Sequence, residues 1–597
     1  MAYLPQLTEG EQSRIMIEAF GGYNHNLRIS EGEWYDEKNI SSSHFPLFSQ
    51  RAARGIYKSG LTSPQGILAK DALAWVDGDK LYYNGYQVDG ITLSTDPDDC
   101  PKQMVSMGAY LCIFPDGVYL NTADITDYGE MAATFTSIED ADIVYTPCRV
   151  DGTEYDMSNA TMSTTEPEEP ENGDYWLDTS SDTHVLKQYS ASSGMWVQVP
   201  TVYTRIAVTG IGALFSQYDG VTISGVKYTG DYAEMVAQLD ALNADSIIQS
   251  VGEDYIVVIG LIDRVYTQQS GSITVERKVP RMDYVCESNN RLWGCFYGMA
   301  DGEMLNEIYA CKLGDFKNWN CFMGLSTDSY TASVGTDGEF TGAITYLGYP
   351  TFFKENFIHK MYGTMPSTFQ LQTTACRGVQ KGSSASLAIV NEVLFYKSRS
   401  DVCAYDGSLP GGVSTALGTD FYSSAAGGSF GGKYHISMRD SSGAWHYFVY
   451  DTVRGVWHRE DDTHATSFTA WGDELFYLDE DRKMIIAENG TVGAPEGRVE
   501  WMAETGLLGY DMIDSKYISR YNLRMRLGAD AYVKLQIEYD SDGVWHDEGT
   551  VRGAGIGAFV LPVIPRRCDH FRYRLTGAGD IKIYSIAKII EQGSDAG

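Results

Sequence analysis

One glycine-rich stretch of this chain has the spacing of two catalytic motifs. Residues 427–431 read G-G-S-F-G, which matches the nucleophile elbow GxSxG, where a strand precedes the serine and a helix follows it. Residues 427–433 also fit the phosphate-loop pattern GxxxxGK, but Tyr434 stands where that loop offers a Ser or Thr hydroxyl to magnesium. Because the following residues, Tyr434 to Ile436, are strand-like, we expect a glycine-rich turn and neither a nucleophile nor a nucleotide site.

Metal and acid–base chemistry has few candidate residues. None of the ten histidines has a partner four residues away, and none of the ten cysteines forms CxxC, so zinc spacings are missing. The pairs Asp77/Asp79 and Asp98/Asp99 have the chemistry to bind calcium, but each falls at a predicted turn, where Asp is favoured for its backbone hydrogen bonds. Residues 540–545 only approximate a sialidase-type box. The sequence predicts no catalytic residue, no metal and no cofactor, and therefore no enzyme.

A row of basic side chains near the C-terminus is the remaining candidate site. His570, Arg572 and Arg574 occupy alternate positions of a predicted strand, and Arg566 and Arg567 precede it. Alternate residues of a strand share one face of the sheet. Such a face can dock an acidic neighbour or simply face solvent, and the sequence leaves both open. We therefore name Arg566, Arg567, Arg572 and Arg574 as candidate subunit-interface residues.

Composition indicates that strands and turns position these residues. Glycine is plentiful at 62 residues and tyrosine reaches 41, which is typical of aromatic strands joined by many turns. Tryptophan follows glycine by two residues at five places, the spacing of a tight hairpin turn that leads into a strand. These tryptophans are Trp34, Trp196, Trp445, Trp457 and Trp545.

The spacing of strand pairs predicts the architecture. Pairs recur about every 40–50 residues, the length of one four-stranded propeller blade, and about six are recognisable. The predicted fold class is all-β: a β-propeller core with an inserted small α+β region and a C-terminal β-sandwich. The predicted boundaries are 1–60 for an N-terminal arm, 61–124 and 281–500 for the two parts of the propeller, 125–280 for the inserted domain or domains, and 501–597 for the sandwich.

Three patterns support the assignments of the insertion and the sandwich. In the insertion, residues 165–173 read T-E-P-E-E-P-E-N-G, an acidic and proline-punctuated linker. Near the C-terminus, Leu523, Met525 and Leu527 alternate with polar residues, as half-buried antiparallel strands do. Residues 231–243 predict the insertion's helix, since 3.6-residue spacing places four apolar side chains on one face: Met235, Val236, Leu239 and Leu242.

Charge and cysteine usage narrow the function classes. The net charge of −35 makes the chain a poor direct binder of nucleic acid, because duplex affinity rests on Lys and Arg neutralising phosphates. Cysteines within apolar strand-like stretches predict reduced, mostly buried thiols and folding in a cytosol. The first residues lack the basic region and hydrophobic core of a secretory signal, and no apolar run approaches the roughly 20 residues of a membrane span.

Three stretches carry a resemblance to a known family. Residues 33–42, E-W-Y-D-E-K-N-I-S-S, continuing to Arg51 and Arg54, are similar to an early segment common in prophage structural proteins of Gram-positive hosts. Residues 291–319 resemble a propeller blade of the family, through R-L-W-G, I-Y-A-C and D-F-K-N-W. Residues 565–572, with the ending 591–595, are similar to tail-protein C-termini. The family is that of the tail hub or nozzle proteins of short-tailed bacteriophages, also called packaged-DNA stabilisation proteins.

The resemblance covers about two-thirds of the chain and leaves residues 125–280 outside it. It implies a structural virion protein in which six propellers form a ring below the portal and adaptor proteins, with tail fibre or spike proteins as further partners. It also implies that DNA leaves through the central channel without specific binding, for which an acidic wall is suited. Localisation in the virion tail, after synthesis in the host cytoplasm, is the corresponding expectation.

Two alternatives come from other classes. A glycan-binding or glycan-cleaving propeller acting as a receptor-binding tail protein would bring exposed aromatic residues to one pocket beside an acid pair. A secreted bacterial surface adhesin would carry a signal sequence, and its absence from the first residues argues against that reading.

Overall fold

The structure is a computed structural model that describes residues 12–155, 160–181, 184–199, 202–230, 233–300, 302–510 and 515–592. Residues 1–11 of the predicted arm, 231–232 of the predicted helix and 593–595 of the third resembling stretch lie outside the described residues. The chain divides into two compact units, Met1–Met104, Gly338–Lys360 and Thr373–Gly597 in the first and Val105–Asp337 and Met361–Gln372 in the second.

The chain is all-β, and its core sheets are the blades of a β-propeller. Within the described residues seven such sheets follow one another along the chain, one more than the approximate count from the sequence. The strands of the first three blades are Pro64–Lys70, Ala72–Asp77, Lys80–Tyr83 and Tyr86–Gln87; Gln103–Met107, Tyr110–Phe114, Val118–Asn121 and Tyr128–Glu130; and Tyr284–Ser288, Arg291–Ala300, Glu303–Ala310 and Tyr330–Ser333.

The later blades repeat the same antiparallel meander. Blade 4 contains Gly342–Tyr346, Tyr349–Lys354, Phe357–Tyr362 and Gln370–Ala375, and blade 5 contains Ala388–Val390, Val393–Lys397, Val402–Tyr405 and Gly411–Gly412. Blade 6 contains Tyr422–Phe430, Lys433–Asp440, Trp445–Asp451 and Val456–Asp461. Blade 7 contains Ala465–Trp471, Glu474–Asp479 and Met484–Ala487, and it is completed by Gly55–Ser59 from the N-terminal side.

Within each unit, neighbouring blades share apolar cores. In the first unit, Trp75 of blade 1 belongs to one cluster with Phe476 of blade 7, and Phe448 of blade 6 belongs to one with Phe395 of blade 5. In the second unit, blades 2 and 3 share a cluster that includes Phe114 and Phe296. The glycines two residues before Trp34, Trp196, Trp445, Trp457 and Trp545 all have positive φ, which confirms the predicted turns.

The insertion forms an α+β region, as predicted. Its single described helix, Ala233–Asp240, buries Met235 and Leu239, while Val236 at its edge is 36% exposed. Two sheets share a core with this helix, and a third sheet contributes to a separate core. The strands are Ala133–Thr136, Thr274–Arg277, Gly220–Ser224 and Asp245–Ile247; Ser250–Gly252, Tyr255–Ile259, Tyr203–Ala207, Ile143–Cys148 and Tyr266–Gln268; and Thr161–Ser163, Tyr175–Asp178, Val185–Ser190 and Met195–Gln198.

The C-terminal region forms two five-stranded sheets whose apolar sides share one cluster, which includes Trp34, Leu523 and Leu535. The alternation predicted for its strands is confirmed, because Leu523, Met525 and Leu527 are buried; the sandwich itself stays a prediction. The first terminal sheet contains Gln12–Ile17, Ile581–Gln592, Lys516–Leu527, Gly555–Leu561 and Phe48–Ser49. The second terminal sheet contains Asp36–Lys38, Glu500–Glu504, Phe571–Ala578, Tyr532–Tyr539 and His546–Arg552.

The described part of the arm, residues 12–59, is thus divided among several sheets. It adds strands to both terminal sheets and to blade 7, and it includes the short pair Gly22–Tyr23 and Glu33–Trp34 and the 3-10 turn Ser42–His44. The remaining short elements are Pro97–Asp99, Pro366–Thr368, Ser384–Ser386, Thr415–Leu417 and Ala494–Pro495.

Most of the cysteine side chains are buried, as the sequence predicts. No disulfide joins the ten cysteines in the described part of the chain, and eight of them are buried. No helix in the described part of the chain is long and apolar enough to cross a membrane.

Candidate functional site

The predicted basic face lies on the second terminal sheet, and two of its arginines are held by carboxylates of the same chain. Arg572 and Arg574 alternate with buried Phe571 and Tyr573 along the strand Phe571–Ala578. Arg572 Nη1 lies 2.8 Å from Glu504 Oε1, and Arg574 Nη2 lies 2.6 Å from Glu504 Oε2. Arg572 Nε also donates to Glu538, its register partner on the neighbouring strand.

A tryptophan covers these two arginines. The guanidinium carbon of Arg574 lies 3.9 Å from the ring centroid of Trp545, and that of Arg572 lies 5.0 Å from it. Hydrogen bonding from Arg572 holds the pKa of Glu538 below its ordinary value, and the same bond raises the pKa of Arg572. The side chains of Arg572 and Arg574 are only 29% and 28% exposed, so these charges are already satisfied within the subunit.

The other two predicted interface residues lie on the exposed approach to this strand. Arg566 Nη1 is 3.2 Å from His546 Nδ1, and its guanidinium carbon is 5.7 Å from the ring of Tyr539. The positive charge of Arg567 favours the ionised form of the Tyr517 hydroxyl. The structure therefore separates the four predicted arginines into a satisfied pair, Arg572 and Arg574, and an exposed pair, Arg566 and Arg567.

Because Arg572 is paired within the subunit, reversing its charge tests the stability of the fold. Arg572→Glu should lower the free energy of unfolding by about 2–4 kcal/mol, since it places a third carboxylate beside Glu504 and Glu538. Urea unfolding measures the change, and Arg566→Glu on the exposed approach is the matched control, with an expected loss below about 1 kcal/mol. Equal and small losses in the two variants would contradict the pairing.

A buried ionic cluster fastens the arm to blades 6 and 7, and we call it the arm joint. Arg54 is its centre, with a side chain only 1% exposed: Nη2 is 2.6 Å from Glu460, Nη1 is 2.6 Å from Asp461, and Nε is 2.8 Å from Glu488. Beside it, Arg51 forms an ion pair with Glu496, whose Oε1 also accepts a hydrogen bond of 2.8 Å from the Arg54 backbone N–H.

The pKa values of the carboxylates in the arm joint are shifted in opposite directions. Burial opposes ionisation of Glu460, yet Arg54 and Arg51 together hold its pKa below 4.5. For Glu488, burial and the neighbouring Glu460 raise the pKa well above that value. Burial likewise opposes ionisation of Asp461, and Arg54 outweighs it and lowers the pKa of that group. Buried charges of this kind are satisfied only when every partner is present.

A second buried polar joint fixes the insertion to blade 3 inside the second unit. Asp219 of the insertion receives a hydrogen bond of 2.8 Å from Asn318 Nδ2 and forms an ion pair of 2.5 Å with Arg277. Asn318 Oδ1 in turn accepts from the backbone N–H of Gly220 at 2.9 Å. Asn318 belongs to the second stretch that carries the family resemblance, and its side chain anchors the part of the chain that departs from it.

The stretches with catalytic spacing adopt the turns expected of them. Residues 427–430 end the strand Tyr422–Phe430, Gly431 and Gly432 make a turn at φ 57° and 77°, and the strand Lys433–Asp440 follows, so a nucleophile elbow is excluded. Asp77 Oδ1 accepts from the backbone N–H of Thr62 and Ser63 at 2.8 and 2.6 Å, a turn role. Asp98 and Asp99 lie in the 3-10 turn Pro97–Asp99. Among the described residues no cluster of His, Cys, Asp or Glu has metal-site geometry.

The open clefts lined by described residues include one in each unit. One, of about 290 Å³ in the first unit, lies between Lys397, Asp401, Asp420 and Tyr422. The other, of about 310 Å³ in the second unit, has Tyr110 and Phe316 on its wall beside Asp219 and Asp315. The rings of Tyr110 and Phe316 are 4.8 Å apart, while Asp219 is committed to Arg277 and Asn318.

Sequence reasoning did not find the partners of these charges. Glu504, Glu538 and Trp545 hold the basic face, and Glu460 and Asp461 hold Arg54. The sequence offered one signal, the alternation along Tyr532–Tyr539, which puts Glu538 on the polar face. The register that places Glu538 opposite Arg572 depends on strands that are distant in sequence.

No protein-family model and no curated protein matches this chain. Similar solved structures include the computationally designed Ika8 protein, with a TM-score of 0.28 and 9% identity over 73% of this chain and 99% of that one. They also include BamB from Moraxella catarrhalis, with 0.24 and 12% over 66% and 95%, and the exo-beta-1,3-galactanase from Phanerochaete chrysosporium, with 0.21 and 8% over 51% and 94%. At these TM-scores and identities the likeness transfers neither an activity nor a partner.

Proposed function

We propose that this chain is a structural virion protein, a subunit of the tail hub or nozzle ring through which DNA leaves a short-tailed bacteriophage. The observation that carries the proposal is the position of the arm residues that resemble the family. Trp34 lies 1% exposed in the shared core of the terminal sheets, and Arg51 and Arg54 form the arm joint. These residues connect the terminal sheets with blades 6 and 7 of the same unit. Such connections suit a virion protein that must transmit force without changing its structure.

The charge of the chain suits a conduit. At −35 per subunit, the wall of a ring repels DNA, and a repelled duplex slides because no phosphates are neutralised. The proposed partners are further copies of the chain, six in the family it resembles, together with adaptor or portal proteins and tail fibre or spike proteins. The proposed location is the virion tail.

The test is the assembly state of the purified full chain together with its affinity for DNA. We expect mass photometry to show a closed oligomer, negative-stain class averages to show a ring, and a low-salt duplex assay to show no binding. The ring is the expected form because heterologous contacts between identical subunits close into rings or grow into fibres. A strict monomer under virion-like conditions, or tight salt-sensitive duplex binding, would contradict the proposal.

The glycan-binding alternative has one feature in its favour, the cleft that brings Tyr110 and Phe316 beside Asp219 and Asp315. Aromatic faces and carboxylates are the groups with which proteins bind and cleave sugars. Turnover of a polysaccharide by the purified chain, lost in Asp315→Asn, would establish the alternative and overturn the structural role as the sole function.

A further inference from the structure

The first terminal sheet presents a basic outer face in an otherwise acidic chain. On the strand Lys516–Leu527, buried Leu523, Met525 and Leu527 turn inward, so Arg524 and Arg526 between them turn outward and are exposed. Arg526 is the register partner of Lys582 on the neighbouring strand Ile581–Gln592. Arg524, Arg526 and Lys582 form no ion pair within the described part of the chain, in contrast to Arg572 and Arg574 on the second terminal sheet.

Apolar side chains flank these cations. Ile556 and Val560 lie on the strand Gly555–Leu561 and are 72% and 62% exposed. In register, Ile556 is opposite Arg526 and Ala558 is opposite Arg524. That strand ends the sheet, since among the described strands it pairs only with Lys516–Leu527. Arginine beside exposed aliphatic residues is the composition of a protein–protein interface, whereas a phosphate-binding face needs cations alone. We call the set of Arg524, Arg526, Lys582, Ile556 and Val560 the outer face.

The chain also carries a surface of opposite charge. Glu166, Glu168, Glu169 and Glu171 are exposed, and none has a cation partner among the described residues. They lie on the connection between the strands Thr161–Ser163 and Tyr175–Asp178, which we call the acidic segment. Prolines within this connection limit the conformations it must give up on binding.

We propose that the outer face binds the acidic segment of a second copy of this chain. This inference rests on the proposed function, and it names the surfaces that would join one ring subunit to the next. The two surfaces differ, so each subunit offers one of each, and the contact repeats head to tail, as ring closure requires. Two acidic subunits can associate because charges farther apart than a Debye length of about 8–10 Å are largely screened. The attraction between the two contacting surfaces acts over shorter distances and is retained. Ile556 and Val560 supply apolar contact, because exposed ion pairs alone are weak.

The experiment is a charge swap in the full chain. Arg524→Glu with Arg526→Glu should weaken self-association at least tenfold by analytical ultracentrifugation, and Glu168→Lys with Glu169→Lys should do the same. Each change acts on an exposed surface, so the melting temperature of the subunit checks that folding is retained. Mixing the two double variants should restore association to within about threefold of the wild type, since each then meets its complement. The matched control is Lys58→Glu with Lys80→Glu, two exposed lysines that belong to neither surface, which should leave association unchanged.

The outcomes separate this inference from the proposed function. If the wild type forms rings and the arginine variant does too, the outer face is not the joint and only this inference fails. If reversal weakens association but mixing does not restore it, the acidic segment is not the occupant, which also overturns the inference. Low-salt duplex binding by the wild type that is lost in the arginine variant, with association intact, would assign the outer face to a polyanion and would overturn both proposals. A monomeric wild type would overturn both proposals.

Discussion

Replacing Arg54 with methionine is expected to lower the free energy of unfolding by about 3–5 kcal/mol. The change removes the cation that contacts Glu460, Asp461 and Glu488, and it leaves these carboxylates buried without their main partner. An unpaired buried charge costs more than the pair contributed, because desolvation is no longer offset. Urea unfolding of the full chain, followed by tryptophan fluorescence, measures the loss, since Trp457 is buried in blade 6.

The matched control for Arg54 is a cation in an exposed pair. Lys381 pairs with Glu339 in the same unit, with side chains 71% and 53% exposed, so Lys381→Met should leave the stability close to that of the wild type. Adding Glu460→Gln and Asp461→Asn to the Arg54→Met variant should recover part of the loss, because neutral amides need no buried counter-charge. A loss below about 1 kcal/mol for Arg54→Met would show that the arm joint is not a stability determinant.

Acidification from pH 7 to pH 5 is expected to destabilise the fold through two buried histidines. Burial lowers the pKa of His435 and of His359 from 6.5 to about 4. With a depressed pKa in the folded chain, each histidine takes up its proton first in the unfolded chain, so stability is lost as the pH falls below 6.5. Linkage gives about 2 kcal/mol per histidine over this interval.

The measurement compares variants across pH. Burial raises the pKa of Glu37 and of Glu488, which bind protons more readily in the folded chain and oppose the trend at lower pH. The pH dependence of the wild-type stability therefore combines both effects, whereas His435→Gln removes the contribution of one histidine. We expect this variant to lose about 2 kcal/mol less than the wild type between pH 7 and pH 5.

Tyr447→Phe is the control for His435. The Tyr447 hydroxyl lies 3.2 Å from His435 Nδ1, and burial raises the pKa of Tyr447 far above this interval. The variant should therefore lose the same stability at both pH values. An unchanged pH dependence in His435→Gln would mean that His435 titrates alike in the folded and unfolded chains.

Local chemistry explains what the sequence could predict. The burial of Leu523, Met525 and Leu527 follows from alternation along one strand, and the turn at Gly431 and Gly432 follows from glycine's access to positive φ. Such properties depend on a few neighbouring residues. The all-β class, the propeller blades and the helical insertion were predictable for the same reason.

By itself, the sequence determined which strands are half-buried, where the chain turns and how acidic the molecule is. Only the tertiary structure decided which charges are free. Arg54 meets Glu460 and Glu488 across more than 400 residues of chain, and Arg572 meets Glu538 through a register that no local pattern specifies. The side-chain period of a strand is fixed by its own backbone, whereas the partner of a charge is fixed by the packing of distant strands. For that reason the sequence could select Arg572 and Arg574 as candidates, whereas only the fold shows that these two are paired within the subunit and that Arg524 and Arg526 are exposed.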